Sequence, residues 1–585
     1  MSDVARFIRR YATPHWRAYL AGIVALGLTN GLSVLVPWLL AEALRRVDSR
    51  SGFEAGPLPW VLGLLLASIA IIFVRTASRV LIFNPGRVSE HALRLDFFGH
   101  VLAMPPRFFR RRPLGDLVSR ASHDVQFVRV LVGFAGLQLV NIAFALPLNL
   151  ARMLSISLEL TLGCIVPLAA ATLLAWLSIR RMLTHMRRSQ EEMAALTDEI
   201  LETYNGVRTV HAFGADGAML ARFDAKNRGY RDLLVRIAFL RSFLLPVVSV
   251  VGNLAILVLL YRGATLVAEK RLHFGDISAY AVYVGNIVGA LTSFGWVVNV
   301  IQRGQVSLRR LFEILDESAD EPEPKTTLPS GPLGLRVAHL SFRYPGEERP
   351  LALDDVSFAL PAGHTLGVFG PNGSGKTTLL RLLLRLELPP ANTVYVGDRD
   401  ALEVPLADLR SVFAVAPQTA HLFSRSLGEN VALGDPDRAS EPQRLQDALT
   451  RACFYDEAMA LERGLDTLVG ERGVTLSGGQ RQRTALARAF YRDARILVLD
   501  DVLSAVDHDT EQRLVSAISA ARGRQTAIIV SHRISALRHA DHVIVLDRGR
   551  IVEQGPPSEL LHGSGPFAEA WNREEREAAP TEASP

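Results

Sequence analysis

Lys376 closes a glycine-rich run, Gly370-Pro371-Asn372-Gly373-Ser374-Gly375-Lys376-Thr377-Thr378. A short apolar stretch, Thr365 to Phe369, precedes it, and LLRLLLRL with helical spacing follows, so strand, loop and helix come in that order. Glycines let successive backbone N–H groups converge on phosphate oxygens. Lys376 is then placed for β- and γ-phosphates, and Thr377 offers its hydroxyl to Mg²⁺. The bland reading, a glycine turn with a chance Lys-Thr, does not account for the flanking strand and helix. A second apolar run, Ile496-Leu497-Val498-Leu499, ends in Asp500-Asp501. Carboxylates at the carboxyl end of such a strand face the crevice where nucleotides bind, and Asp500 suits Mg²⁺ coordination through water.

The elements that hold these residues alternate. From about 334 to 572, β-branched or leucine-rich runs such as VYVGD, ILVLD, AIIVSH and HVIVLD are interleaved with helical patterns, which reads as an α/β domain. The chain before it is of another kind. Of its 585 residues the chain has 49% hydrophobic and 21% charged, which excludes intrinsic disorder and points to a membrane. Six runs without a charge reach the length needed to cross about 30 Å of hydrocarbon: Ala18 to Leu40, Ala55 to Val74, Val130 to Ala151, Leu160 to Ile179, Ser242 to Tyr261 and Ile277 to Gln302. The first exceeds a signal-peptide h-region and is expected to remain as a helix. Long connections, 75–129 and 180–241, alternate with short ones, so the membrane helices are expected to continue past the bilayer and reverse at tips. The segment 75–129 holds ten Arg against four acids, and the amino terminus holds Arg6, Arg9, Arg10 and Arg17, which assigns both to the cytoplasm.

The domains expected are therefore a membrane domain over 1–316, a charged, Pro-rich linker over 317–333, a nucleotide-binding domain over 334–572 and a frayed tail over 573–585. The net charge of +5 is a weak excess for this length and argues against a nucleic-acid partner. Cys164 and Cys453 are too few for a disulfide framework or a cysteine zinc site. Arg75 and Arg79 read as interfacial or cytoplasmic arginines and not as an ion-binding pair. Asn30, Asn141, Asn253, Asn286 and Asn299 lie inside the spans, where helix-to-helix hydrogen bonding explains them better than a polar pathway. Pro37, Pro147, Pro167 and Pro246 are tolerated in membrane helices, and neither set identifies a substrate.

Further residues make nearly the whole chain resemble the ATP-binding cassette exporters. The deciding ones are Leu476-Ser477-Gly478-Gly479-Gln480. In that family the signature caps the γ-phosphate of a nucleotide held by the opposite subunit, so the resemblance implies that Ser477, Gly478, Gly479 and Gln480 act across a dimer; a helix beginning there would point its positive end at phosphate. By the same resemblance Tyr344 stacks on adenine, Gln418 reaches Mg²⁺ and the attacking water, and His532 contacts the γ-phosphate. Ser504-Ala505-Val506-Asp507 matches the loop that crosses between subunits, and Gly470-Glu471-Arg472-Gly473 a further cross-contact segment. Gly115 to Arg120 with Asp124-Val125, and Glu202-Thr203 through Gly214, resemble exporter intracellular loops and are expected to contain the coupling tips. The fold implied is a six-span helical membrane domain followed by an α/β P-loop ATPase domain of the cassette type, in a multi-pass protein of a bacterial inner membrane.

One position departs from the pattern. Where a hydrolytic cassette has Glu after the Mg²⁺ aspartate, this chain has Asp501, one methylene shorter. A base that must lie within about 2.6 to 3.2 Å of its water is sensitive to that loss of reach. The expectation is a slow local site, with the intact signature completing a competent site on a different half-transporter chain. The function expected is ATP-driven export of a drug, lipid or peptide. An ATP-gated channel or receptor on the same frame and a homodimeric lipid flippase are the alternatives.

Overall fold

A single long apolar stretch can satisfy its backbone in hydrocarbon from within only as a helix. In the computed structural model, which describes residues 2–48, 58–318, 326–345, 350–438, 441–470, 473–502, 508–519, 523 and 525–578, the first half of the chain does this in six long helical runs. They are α1 (Trp16–Asp48), α2 (Leu58–Ala103), α3 (Leu114–Ile156), α4 (Leu158–Asn205), α5 (Asp216–Ala268) and α6 (Phe274–Leu315). At about 1.5 Å per residue, the 48 residues of α4 and the 53 of α5 extend roughly 70 to 80 Å, far beyond a bilayer core. Among the described residues four runs are long and apolar enough to cross a membrane: α2, α3, α6 and the run Asp3–Arg46 that contains most of α1. In α4 and α5 the shorter apolar segments Leu158–Pro167 and Asn253–Ala268 are described.

Two of the reversals are capped by side chains. Ser157 ends α3 in an extended conformation, and its hydroxyl accepts the amide of Leu160 at 3.3 Å to start α4. Asp276 accepts the amide of His273 at 3.0 Å at the start of α6 and pairs with Arg45 of α1. Inside the apolar region, polar side chains bond between helices. Asn30 of α1 donates to the side-chain oxygen of Asn141 of α3 at 3.0 Å, and Asn286 of α6 donates to that of Asn149 of α3 at 3.1 Å. Asn30, Asn141 and Asn286 thus make the bonds expected of them; Asn149 was not singled out. The loop-like motif at Gly115 to Val125 lies on α3, where Asp116 and Asp124 both pair with Arg310 of α6, at 2.6 and 2.9 Å.

The chain divides into two compact units, one of Met1–Met104 and Arg112–Ser318, the other of Pro105–Arg111 and Ala319–Pro585. The second contains two sheets. Strands β1 (Leu335–Phe342), β2 (Leu353–Leu360), β4 (Val394–Val396) and β5 (Arg399–Asp400) form an antiparallel sheet in the order β2-β1-β4-β5. Strands β3 (Thr365–Phe369), β6 (Phe413–Ala416), β7 (Ile496–Asp500), β8 (Thr526–Val530), β9 (His542–Asp547) and β10 (Arg550–Gly555) form the other, in the order β10-β9-β3-β8-β7-β6. Its central pairings are parallel, and β7 and β8 are buried at every position. Alternate residues serve opposite faces: Ile496, Val498, Ile528 and Val530 join one apolar layer, Leu497, Leu499, Ala527 and Ile529 the other.

The Asn149–Asn286 bond gives a test of the membrane half. With Asn149→Ala and Asn286→Ala made singly and together in the full-length protein, thermal unfolding in detergent should show non-additive losses, with a coupling of about 0.6 to 2 kcal/mol. Strictly additive losses would mean that the amides do not bond.

Candidate functional site

β3 delivers the chain to Gly370, and the helix α7 (Lys376–Leu383) takes it away. Only glycine fits at the two ends of the loop between them. Gly370 has φ +154°, and a Cβ there would stand 2.2 Å from the carbonyl oxygen of Leu546; Gly375 has φ +108°, and its Cβ would stand 2.7 Å from that of Ala352. Lys376 folds back over the loop, donating from Nζ to the carbonyls of Gly370 at 2.6 Å and Pro371 at 2.9 Å. Burial pulls its pKa below the usual lysine value, against the upward pull of Asp501 and Asp500. The Ser374 hydroxyl is buried and has no hydrogen-bond partner among the described residues.

β8 lies between β3 and β7, so the carboxylates that end β7 come beside the loop that ends β3. Asp500 is buried, and burial, with Asp501 adding to it, holds its carboxyl above the ordinary carboxylate range while Lys376 and Arg381 oppose the rise. Asp501 turns into the left-handed region at φ +52°, its amide donating to the carbonyl of Val530 at 2.9 Å. One of its oxygens is 2.8 Å from Nδ1 of His532, which follows β8, and the other accepts from Nε2 of Gln418, which follows β6, at 3.3 Å. Tyr344, just after β1, reaches the Thr378 hydroxyl at 3.3 Å and packs edge-on against Phe342.

These side chains enclose a cavity of about 720 Å³. Of the residues singled out from sequence, Tyr344, Asn372 to Thr378, Gln418, Asp500, Asp501 and His532 line it, with Gly370 behind the loop. Ser477, Gly478, Gly479 and Gln480 do not. They begin the helix α8 (Gly478–Arg492) in a capping box, the Ser477 hydroxyl accepting the amide of Gln480 at 3.2 Å and the Gln480 side chain accepting that of Ser477 at 3.0 Å. Asp507 and the rest of 504–507, like Glu471 and Arg472, lie outside the described residues.

Arg548 and Gly549 also line the cavity and were not singled out. They form the two-residue turn between β9 and β10, both with positive φ, and the Gly549 amide donates to the carbonyl of Ser374 at 3.0 Å. Asp-Arg-Gly between two strand-like runs signals such a hairpin turn, but nothing local to it says that the turn buttresses a loop 175 residues away. Thr377, Gln418 and Asp500, which line the same space, carry the kind of oxygen that a small hard cation takes, and Lys376 with the loop amides supplies what phosphates take.

Comparison with known proteins agrees with this division of the chain. Residues 19–291 match the family described as the ABC transporter transmembrane region, and 353–504 match the family described as ABC transporter. The chain is 33% identical over 579 residues to a probable multidrug resistance ABC transporter ATP-binding/permease protein of Bacillus subtilis, covering 98% of both chains. It is 31% identical to an ATP-dependent lipid A-core flippase of Photobacterium profundum, over 94% of this chain and 93% of that one. Among solved structures, a bacterial Atm1-family ABC exporter with ATP bound superimposes with a TM-score of 0.80 at 24% identity, over 95% of this chain and 99% of the other, a likeness of fold.

The buried Asp500 carboxylate predicts a conflict between stability and binding. Its folded-state pKa is raised, so its charge opposes folding at neutral pH, and that penalty vanishes as pH falls toward the ordinary 3.8. Asp500→Asn should therefore raise the unfolding midpoint of the nucleotide-free protein by about 2 °C or more at pH 8, with the gain shrinking toward pH 4, while weakening Mg-ATP binding more than about tenfold. A midpoint that falls at pH 8 would show that the charge is stabilising.

Proposed function

Because the chain belongs to the ABC transporter family, with membrane region and ATP-binding domain fused in one polypeptide, we propose that it is one half of an exporter for hydrophobic or amphipathic compounds. Coupling of ATP hydrolysis to transport is the activity of this family, and the chain is an ATP-driven exporter. The relatives named for multidrug resistance and for lipid A-core flipping both support a drug-like or lipid cargo. The arginine excess of the amino terminus and of 75–129 supports a cytoplasmic placement of both, in a bacterial inner membrane.

The observation that carries the residue assignments is the convergence of loop, carboxylates, Gln418, His532 and Tyr344 on one cavity. In this reading the loop amides from Asn372 to Thr378 and Lys376 hold the β- and γ-phosphates, and Tyr344 stacks on adenine. Mg²⁺, held by Thr377, Gln418 and Asp500, would neutralise charge developing on the phosphates. Asp501 is the base that orients and deprotonates the attacking water, and His532 holds both Asp501 and the γ-phosphate. Ser477 to Gln480, at the start of α8 and outside this cavity, with Ser477 and Gly478 exposed and Gly479 and Gln480 half-buried, serve the nucleotide of a second half-transporter. ATP bound between the two halves draws them together, and hydrolysis releases them, which switches the membrane cavity between inward and outward access.

Asp501 favours a heterodimer. A shorter carboxylate, already engaged by His532 and Gln418, makes a weak base, whereas the intact signature equips the partner's site fully. The expected result is asymmetry: Asp501→Asn costs little ATPase activity, and Ser477→Arg abolishes it by obstructing the partner's γ-phosphate. Equal and severe losses would make Asp501 a working base and a homodimer the better description, since two copies of one chain build identical sites.

Transport itself is read from ATP-dependent accumulation of a lipophilic fluorescent dye inside inverted membrane vesicles. Lys376→Ala should reduce accumulation more than about tenfold, because the phosphates lose the cation of their loop. Dye equilibration without accumulation against a gradient would leave a gated channel in place of a pump.

A further inference from the structure

A second cavity, of about 810 Å³, opens in the membrane half among the amino-terminal residues Ser2 to Val4, Phe127 of α3, Arg187 of α4 and the stretch Gln302 to Arg309 of α6. The positions lie at or beyond the ends of the apolar runs. Arg303 follows directly on the apolar run that ends at Gln302, Phe127 precedes the run that begins at Val130, and Arg187 lies beyond the run that ends at Ile179. Arg303 thus stands where its hydrocarbon segment stops, at the depth of lipid head groups, while Arg309 and Arg187 lie seven and eight residues past their apolar runs, about 10 to 12 Å further along the helix.

The charge around this cavity is unbalanced. Arg187, Arg303 and Arg309 line the cavity against one carboxylate, Asp3, and none of the three makes an ion pair among the described residues. Their neighbours behave otherwise: Arg310 pairs with Asp116 and Asp124, Arg120 with Asp116 and Glu313, and Arg6 with Asp316. Gln302 and Gln305 add amide donors, while Phe127, 6.0 Å from the Arg303 guanidinium, and Val306 expose apolar surface to the same space. Guanidinium forks match phosphate and carboxylate oxygens, and the apolar side chains suit an alkyl chain attached to such a group.

We propose that this cavity binds the anionic head, phosphate or carboxylate, of an amphipathic molecule. The proposal deepens the exporter reading by naming the chemistry of what enters the membrane half. That molecule is either cargo or a lipid of the surrounding bilayer, and the two sources separate experimentally.

The test measures binding of octyl phosphate to the purified full-length assembly in neutral phosphatidylcholine nanodiscs without nucleotide, with octyl glucoside and inorganic phosphate as comparisons. Octyl phosphate should bind at least about tenfold more tightly than either, since one lacks the charge and the other the chain. Arg303→Gln combined with Arg309→Gln should weaken it about tenfold or more, Arg303→Lys less, and Arg181→Gln, exposed on α4 outside the cavity, not at all. Equal affinity for octyl glucoside, equal affinity for inorganic phosphate, or unchanged binding in the double variant overturns the proposal. Loss of probe binding in phosphatidylglycerol nanodiscs identifies a bilayer lipid as the occupant, and retention identifies cargo. Binding is read without ATP, so a protein that binds octyl phosphate but accumulates no dye loses the exporter reading and keeps this one.

Discussion

Two carboxylates, Asp500 and Asp501, stand side by side at the end of a fully buried strand, where burial first and the neighbouring carboxylate second oppose the charge of Asp500. β7 has no freedom to separate them. It is paired in parallel on both sides, Asp500 lies opposite Val530 in register, and the Asp501 amide is bonded to the carbonyl of the same residue. What offsets their repulsion directly comes from the two adjacent strands, Gln418 from beyond β6 and His532 from beyond β8, while Lys376, from beyond β3, acts from one strand further away. Two inter-strand spacings, about 10 Å, separate β3 from β7, so loop and carboxylates face each other across a gap instead of neutralising one another directly. A ligand that brings both negative phosphates and a cation into that gap satisfies both sides at once. The raised carboxyl of Asp500 and the lowered amine of Lys376 are the signs of a site organised for charges that arrive with the ligand.

Features written in consecutive residues were readable before any coordinates. The glycine loop has its strand before it and its helix after it because backbone geometry fixes the spacing, and positive φ at Gly370 and Gly375 leaves no choice of residue. The runs VYVGD, ILVLD and HVIVLD contain β4, β7 and β9, and AIIVSH contains all of β8 but Thr526. What could not be read is what depends on distant pairings. The Arg548-Gly549 turn is locally an ordinary hairpin, and it becomes part of the site only because β9 pairs with β3. Asn149 looks like any amide in an apolar run until α6 brings Asn286 to it. The separation of Ser477 from the cavity has the same origin: the motif is local and its capping box readable, but where α8 begins relative to the end of β3 is a property of the whole sheet.

The membrane half obeys a different economy of polar groups. Buried amides there bond to one another or to a carbonyl one turn back, as Asn149 does to Ala145 at 2.7 Å, and so give helices fixed partners without adding charge. Ionic pairs gather instead on the stretch of α3 and α6 beyond the apolar runs, among Asp116, Arg120, Asp124, Arg310 and Glu313. Two helices tied by several such pairs, with Arg120 and Asp124 themselves buried, move more readily as one body than past each other, since sliding would leave buried charges unpaired.

Asp501 brings the two themes together. Its carboxylate is tethered at both oxygens and sits in a left-handed turn, so its position is set by β6 and β8 as much as by its own strand. A glutamate would add one carbon–carbon bond, about 1.5 Å, and could reach beyond those tethers toward a water; an aspartate must leave them to do so. Leaving has a consequence, because the same contacts help to hold the charge of Asp501 beside Asp500. Shortening the side chain therefore trades reach for a settled carboxylate pair.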